Sequence, residues 1–249
     1  MGAAAQGVAL TTRERARPPA PVPAWSSPSG QAQVAPAVDP VPGSVGILGG
    51  TFDPIHIGHL AAAEEVREAL GLERILFVPA GIPPHKPDRV ITVPEHRLAM
   101  VELGIADNPA FAVSRVELDR TGPSYTIDTL QALAVPVDGR VPELTLILSA
   151  ESFRGLPSWH EPERLFALAR LAIVPRGGLA PPGKRWVEEH FPGIDPRVVA
   201  LDAPRLRLSA TDIRARVAAG RSIRYLVPDA VIRYIEDHDL YRDETWRKN

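Results

Sequence analysis

Val45-Gly46-Ile47-Leu48-Gly49-Gly50-Thr51-Phe52-Asp53-Pro54-Ile55-His56-Ile57-Gly58-His59-Leu60 joins an apolar run, a double-glycine turn and the start of an amphipathic segment. The pattern predicts a buried strand over 45–48 and a helix over 59–70. Paired glycines let the backbone turn sharply and approach a ligand with no Cβ in the way. The helix that follows offers unpaired N–H groups and the positive end of its dipole, which suits phosphate. Neither the G-x-G-x-x-G dinucleotide pattern nor the Gly-Lys-Ser/Thr of a Walker A loop is present. Instead His56 and His59 stand three apart on one face of the helix entrance, with Gly58 between them to clear room for a ligand. Two other readings remain at this point. Each histidine can be a cap or a satisfied core residue, or the pair can bind zinc, although H-E-x-x-H and cysteine are both lacking.

Beyond this stretch, short apolar runs recur at Ile75–Val78, Ala112–Val116, Leu144–Leu148, Leu171–Val174 and Val198–Leu201. Amphipathic segments separate them, at Pro94–Ile105, Thr126–Leu133, Pro162–Arg170 and Lys184–His190, and two more follow at Thr211–Ala219 and Asp229–His238. Continuous apolar strands alternating with helices mark a parallel sheet covered on both faces. The expected fold is α/β, a doubly wound, Rossmann-like parallel sheet with a helical C-terminal end. Such sheets bind ligands beyond the carboxyl ends of their strands.

Composition narrows the function. Across 249 residues, 28 Lys and Arg against 30 Asp and Glu leave a net charge of −2, which argues against a phosphate-neutralising nucleic-acid binder. The absence of cysteine excludes disulfides, a thiol nucleophile and thiolate metal ligands, and fits a reducing cytoplasm. No apolar run reaches the roughly 18 residues of a membrane span. Proline, at 27, is about twice its usual frequency and is concentrated before Ser44. Residues 1–43 are therefore expected to be a disordered Ala/Pro-rich tail, with no apolar segment of a secretory signal. Residues 44–249 are expected to form the folded domain.

A second phosphate-suited element is Leu208-Ser209-Ala210-Thr211-Asp212-Ile213-Arg214. Ser209 and Thr211 are natural N-cap residues, and Arg214 follows one turn later with a guanidinium able to fork onto phosphate. The first element resembles the H-x-G-H signature of the nucleotidylyltransferase superfamily, and the second resembles its S-x-T-x-x-R element. His-Ile-Gly-His also occurs in class I aminoacyl-tRNA synthetases, but those are much larger and need a basic tRNA surface.

Four further segments select a family. They are Val78–Pro87 with His85 and Lys86, Gly122–Leu130 with Tyr125, Thr126 and Asp128, Ser149–Glu151 followed by Leu156–His160 with Trp159 and His160, and Val174–Gly178 with Arg176. In this order, from Val45 to Arg242, they closely resemble bacterial nicotinate-nucleotide adenylyltransferases. Two departures stand out. Ser149-Ala150-Glu151 replaces the family's usual Gly-Ala-Asp, and Arg176-Gly177-Gly178 replaces Arg-Pro-Gly.

The resemblance implies adenylyl transfer from MgATP to nicotinate mononucleotide, in NAD biosynthesis. It implies that Gly49, Gly50, Thr51, Phe52, His56, Gly58 and His59 bind ATP together with Ser209, Thr211 and Arg214. His56 and His59 are the expected catalytic residues, and Mg²⁺ is expected to arrive on ATP without a dedicated metal site. The acceptor would meet His85, Lys86, Tyr125, Thr126, Asp128, Glu151, Trp159, His160 and Arg176, with Lys86 at its phosphate and Trp159 on its ring. Expected partners are these two nucleotides, with no nucleic acid and no membrane, and a homo-oligomer is compatible with the sequence. The rivals are another adenylyltransferase of the superfamily, for pantetheine phosphate or nicotinamide mononucleotide, and a non-catalytic nucleotide-binding module.

Overall fold

The computed structural model describes residues 43–83, 90–136, 139–175, 178–194, 197–201, 206–243 and 246. Apart from Gly43, the expected tail lies outside the described residues. The strands are β1 (Ser44–Gly50), β2 (Arg74–Pro79), β3 (Phe111–Val113), β4 (Glu143–Ser149), β5 (Ala169–Val174) and β6 (Val198–Ala200). The helices are α1 (Ile57–Leu70), α2 (Pro94–Ile105), α3 (Thr126–Leu133), α4 (Ala150–Gly155), α5 (Pro162–Leu168), α6 (Lys184–His190), α7 (Ala210–Ala218) and α8 (Asp229–Asp237). All strand pairs are parallel, in the order β3-β2-β1-β4-β5-β6. Strand order therefore reverses beside β1, which puts a crevice at the carboxyl ends of β1 and β4.

The continuous apolar strands serve two cores. In β2, Ile75 and Phe77 join one cluster and Leu76 and Val78 the other, all at most 1% exposed. Alternation of side chains forces this split once both faces are covered. Each such side chain contributes about 1.5–3 kcal/mol of burial. The first cluster takes its helical members from α1, α2, α7 and α8, and the second from α3, α4, α5 and α6. The doubly wound arrangement and the helical C-terminal end are thus as expected.

Several boundaries differ for identifiable reasons. Gly49 and Gly50 remain in β1, opposite Val78 and Pro79, so the turn begins at Thr51. Helix α1 starts at Ile57, two residues early, because His59 Nδ1 accepts the His56 backbone N–H and caps the helix. It ends at Gly71 in the left-handed conformation (φ 61°), where the Leu72 N–H reaches the Arg67 carbonyl. Strand β3 stops at Val113 rather than Val116, since the Ser114 hydroxyl accepts the Val116 N–H and turns the chain. Helix α5 ends at Leu168, because Ala169 and Arg170 already pair with Leu144 and Thr145. Helix α4 and the 3₁₀ turn Leu156–Ser158 were not expected.

Candidate active site

The turn after β1 is shaped by close contacts. A Cβ at Gly50 would lie 3.0 Å from the Phe52 ring, whereas one at Gly49 would meet nothing within 4 Å. Gly49 is therefore the open face of the turn. Phe52 is 2% exposed, holds φ 49°, and meets the His59 ring edge-on at 5.1 Å. His56 is buried and stacks on His59 at 3.6 Å between ring centroids. Because His59 Nδ1 accepts from the His56 N–H at 3.2 Å, the ring proton of its neutral form belongs on Nε2, as a donor.

Gly58 makes room for the His56 ring, since a Cβ there would sit 3.1 Å from it. The helix entrance has fewer spare donors than expected. The Ile57 N–H is taken by the Leu226 carbonyl at 2.9 Å and the His59 N–H by the His56 carbonyl at 2.9 Å.

Behind the turn lies a buried polar brace that sequence reasoning missed. Arg97 of α2, 1% exposed, donates to the carbonyls of Thr92 and Thr51, both at 2.9 Å, and reaches Gly81 O at 3.5 Å. Burial draws its pKa down, while the nearby Asp53 charge opposes this. Asp53 accepts from the Thr92 N–H at 3.1 Å and from the Tyr241 hydroxyl at 2.7 Å. Burial, then the Asp53 charge, pushes the Tyr241 pKa well above its usual value, so the phenol stays a donor. One signal for Arg97 was legible: it falls on the stripe with Met100, Val101 and Ile105, at spacings that otherwise hold only apolar residues.

The second phosphate element is brought to the first. Ser209 is the backbone N-cap of α7, and its side chain makes no capping bond. Arg214 Nη1 donates to the Asp53 carbonyl at 2.6 Å, Nη2 approaches Thr211 Oγ1 at 3.3 Å, and the guanidinium lies over Trp246 at 4.8 Å. Leu208 would be 3.6 Å from a Cβ at Gly58. The starts of α1 and α7, far apart in sequence, thus share one side of the crevice.

On the acceptor side the structure joins some of the expected residues. The Tyr125 and His160 rings approach to 4.5 Å, linking the entrance of α3 to the segment after α4. Thr126 and Asp128 lie in the first turn of α3. Ser149 caps α4 by accepting the Ser152 N–H at 3.1 Å, which leaves Glu151 exposed in that helix's first turn. Trp159 is half-buried and packs against the second core. His85, Lys86 and Arg176 lie outside the described residues.

Comparison with known proteins identifies relatives in sequence and in fold. The cytidylyltransferase-like family matches residues 47–216. A Roseiflexus sp. (strain RS-1) protein named "Probable nicotinate-nucleotide adenylyltransferase" is 53% identical over 198 residues, covering 80% of this chain and 98% of its own. A Thermomicrobium roseum protein of the same name is 46% identical, covering 80% and 91%. In fold, the chain is similar to Plasmodium falciparum nicotinic acid mononucleotide adenylyltransferase complexed with NaAD, with TM-score 0.63, 19% identity, and coverage of 81% and 98%. The same protein complexed with APC gives TM-score 0.61 at 19% identity, covering 80% and 96%. With the sheet order, the joined helix starts and these relatives in agreement, the chain belongs to the nicotinate-nucleotide adenylyltransferase family within the cytidylyltransferase-like proteins.

Proposed function

We propose that this chain transfers the adenylyl group of MgATP to nicotinate mononucleotide, giving nicotinate adenine dinucleotide and pyrophosphate. The observation that carries the reading is the junction of the two phosphate elements by Arg214 and Asp53. An oxygen of the acceptor phosphate attacks the α-phosphorus of ATP, and the bond from that phosphorus to the bridging oxygen breaks. The electron pair leaves with pyrophosphate. The nucleophile is already anionic, so no general base is needed, and catalysis is positioning plus charge stabilisation.

His59 offers its Nε2–H to the α-phosphate as charge develops, and His56 stacks behind it within the ATP-binding turn. Gly49, Gly50, Thr51 and Phe52 line the nucleotide side, with Gly58 seating the His56 ring. Ser209, Thr211 and Arg214 hold the departing pyrophosphate. Lys86 and His85 neutralise the acceptor phosphate, and Trp159 stacks on the pyridine ring. Tyr125, Thr126, Asp128, Glu151, His160 and Arg176 complete the acceptor site. Nucleotidyl transfer from ATP generally uses a divalent metal. In this reading that metal is Mg²⁺ and arrives bound to the ATP phosphates.

In this reading the enzyme works in the cytoplasm on small molecules, without nucleic acid. Among the described residues no helix is long and apolar enough to cross a membrane. The test is pyrophosphate release at fixed MgATP with a panel of acceptors. Release should depend on nicotinate mononucleotide, whereas release with pantetheine phosphate alone, or none with any acceptor, would overturn the proposal.

A further inference from the structure

Glu117 lies between β3 and α3, is 7% exposed, and has no part in the reaction described above. Its Oε1 accepts from Thr129 Oγ1 of α3 at 2.7 Å. Ser124 accepts two backbone N–H groups, from Gly81 at 3.0 Å and Ile82 at 3.2 Å. A hydroxyl has two acceptor sites and one proton, so the Ser124 proton is left to donate, and its influence on the neighbouring Glu117 carboxyl favours the ionised form. The same two strands of chain meet again where the Ser124 N–H reaches the Ile82 carbonyl at 2.9 Å. They are so close that a Cβ at Gly81 would stand 2.4 Å from the Glu117 carbonyl oxygen. Arg120 is the facing charge, and its guanidinium approaches Tyr125 O and Thr129 Oγ1, each at 3.4 Å. Burial pushes the Glu117 pKa up, opposed by Thr129, Ser124 and Arg120.

We infer that Glu117, acting through Ser124 and Thr129, is a positioning residue that clamps the chain after β2 to the start of α3 and so sets the acceptor half of the site. Gly81 and Ile82 lead in sequence to His85 and Lys86, while Ser124 immediately precedes Tyr125 and Thr126. One buried cluster therefore ties Gly81 and Ile82 to the entrance of α3, where Tyr125 and Thr126 stand. The inference rests on that acceptor assignment.

The test compares the full chain with Ser124→Ala, Glu117→Gln and the double variant. Ser124→Ala removes both accepted bonds and the donated proton, and should raise the KM for nicotinate mononucleotide at least about 10-fold, the scale of a single buried hydrogen bond, with the KM for ATP changed less than about 2-fold. Glu117→Gln keeps an acceptor oxygen and should show a smaller rise. The double variant should be no worse than the larger single change, because both break one bonded unit. Amide exchange read by NMR supplies a measure independent of turnover. The Gly81 and Ile82 amides should exchange faster in Ser124→Ala.

Equal rises in both KM values, or unchanged exchange at those amides, would overturn the inference. A wild-type chain inert toward nicotinate mononucleotide would overturn the proposed reaction and the acceptor role. The clamp itself would still stand or fall on the exchange data.

Discussion

The turn after β1 and the acceptor segments open on the same end of the sheet, but they are held by different means. The turn is gripped from three directions by buried groups distant in sequence: Arg97 on Thr51, Tyr241 on Asp53, and Arg214 on the Asp53 carbonyl. The acceptor side has one buried tie at its base, Glu117 with Thr129 and Ser124, and beyond it only short loops and the half-exposed contact of Tyr125 with His160. Charge stabilisation rewards rigidity, because donors fixed in advance need no reorganisation as charge develops. Admitting and discriminating a second nucleotide suits a softer edge, built from segments with less buried area.

The contrast can be broken most forcefully at the turn. His59→Ala should lower kcat by about 10²–10³, as expected for removal of one preorganised charge-stabilising group, while the fold survives with a modest fall in melting temperature from the lost α1 cap. Wild-type turnover in a folded His59→Ala protein would remove the histidine from the reaction.

A smaller effect is expected on the acceptor side. Nicotinate mononucleotide should be preferred over its amide by about 10–100-fold in kcat/KM. A carboxylate can accept from every backbone donor around the ring, whereas the amide nitrogen leaves one donor facing another, at about 1–3 kcal/mol. Equal specificity constants, measured side by side with MgATP, would contradict this.

The brace itself is tested by Tyr241→Phe, which deletes the donor to Asp53 Oδ1 and should destabilise the fold by about 1–2 kcal/mol at neutral pH in urea unfolding. Its pH signature has a definite sign. The folded-state pKa of Tyr241 is raised above the ordinary 10.0, so the native protein keeps a proton that the unfolded chain loses. Its stabilising contribution is complete below pH 10 and declines as pH climbs beyond it. The alkaline loss of stability should accordingly be shallower in Tyr241→Phe than in the wild type, and parallel curves would refute the assignment.

The smallest effect concerns neither half. Removing residues 1–43 should leave turnover and melting temperature nearly unchanged, because an Ala/Pro-rich composition buries too little to pack a core. A large fall in melting temperature would show that these residues dock on the domain.

Sequence carried the fold where the physics is local and periodic. The bounds of α2, α3 and α6 coincide with their apolar patterns, and β2 reads directly as a doubly buried strand. Helix α4 spans six residues, too few for a 3.6-residue period to be distinguished from a turn. The two phosphate elements were legible because glycines, imidazoles and hydroxyls at helix starts have a restricted range of uses. Arg97, Glu117 and Tyr241 were not, because their roles come from partners 12 to 188 residues away. No local spacing encodes such a meeting. A charged residue within an apolar stripe was the only trace that Arg97 left.

The brace also has a consequence in time. The Tyr241 hydroxyl that secures Asp53 is made 188 residues after it, and Trp246, beneath Arg214, later still. At about 5–20 residues per second a ribosome needs roughly 10–40 s to cross that interval. Arg97 and Arg214 join the turn during it, but the phenol that secures the Asp53 carboxylate comes only at its end. Synthesis that stalls after Arg214 but before Tyr241 therefore yields a chain with every ATP-facing group present and the Asp53 carboxylate short of its phenol.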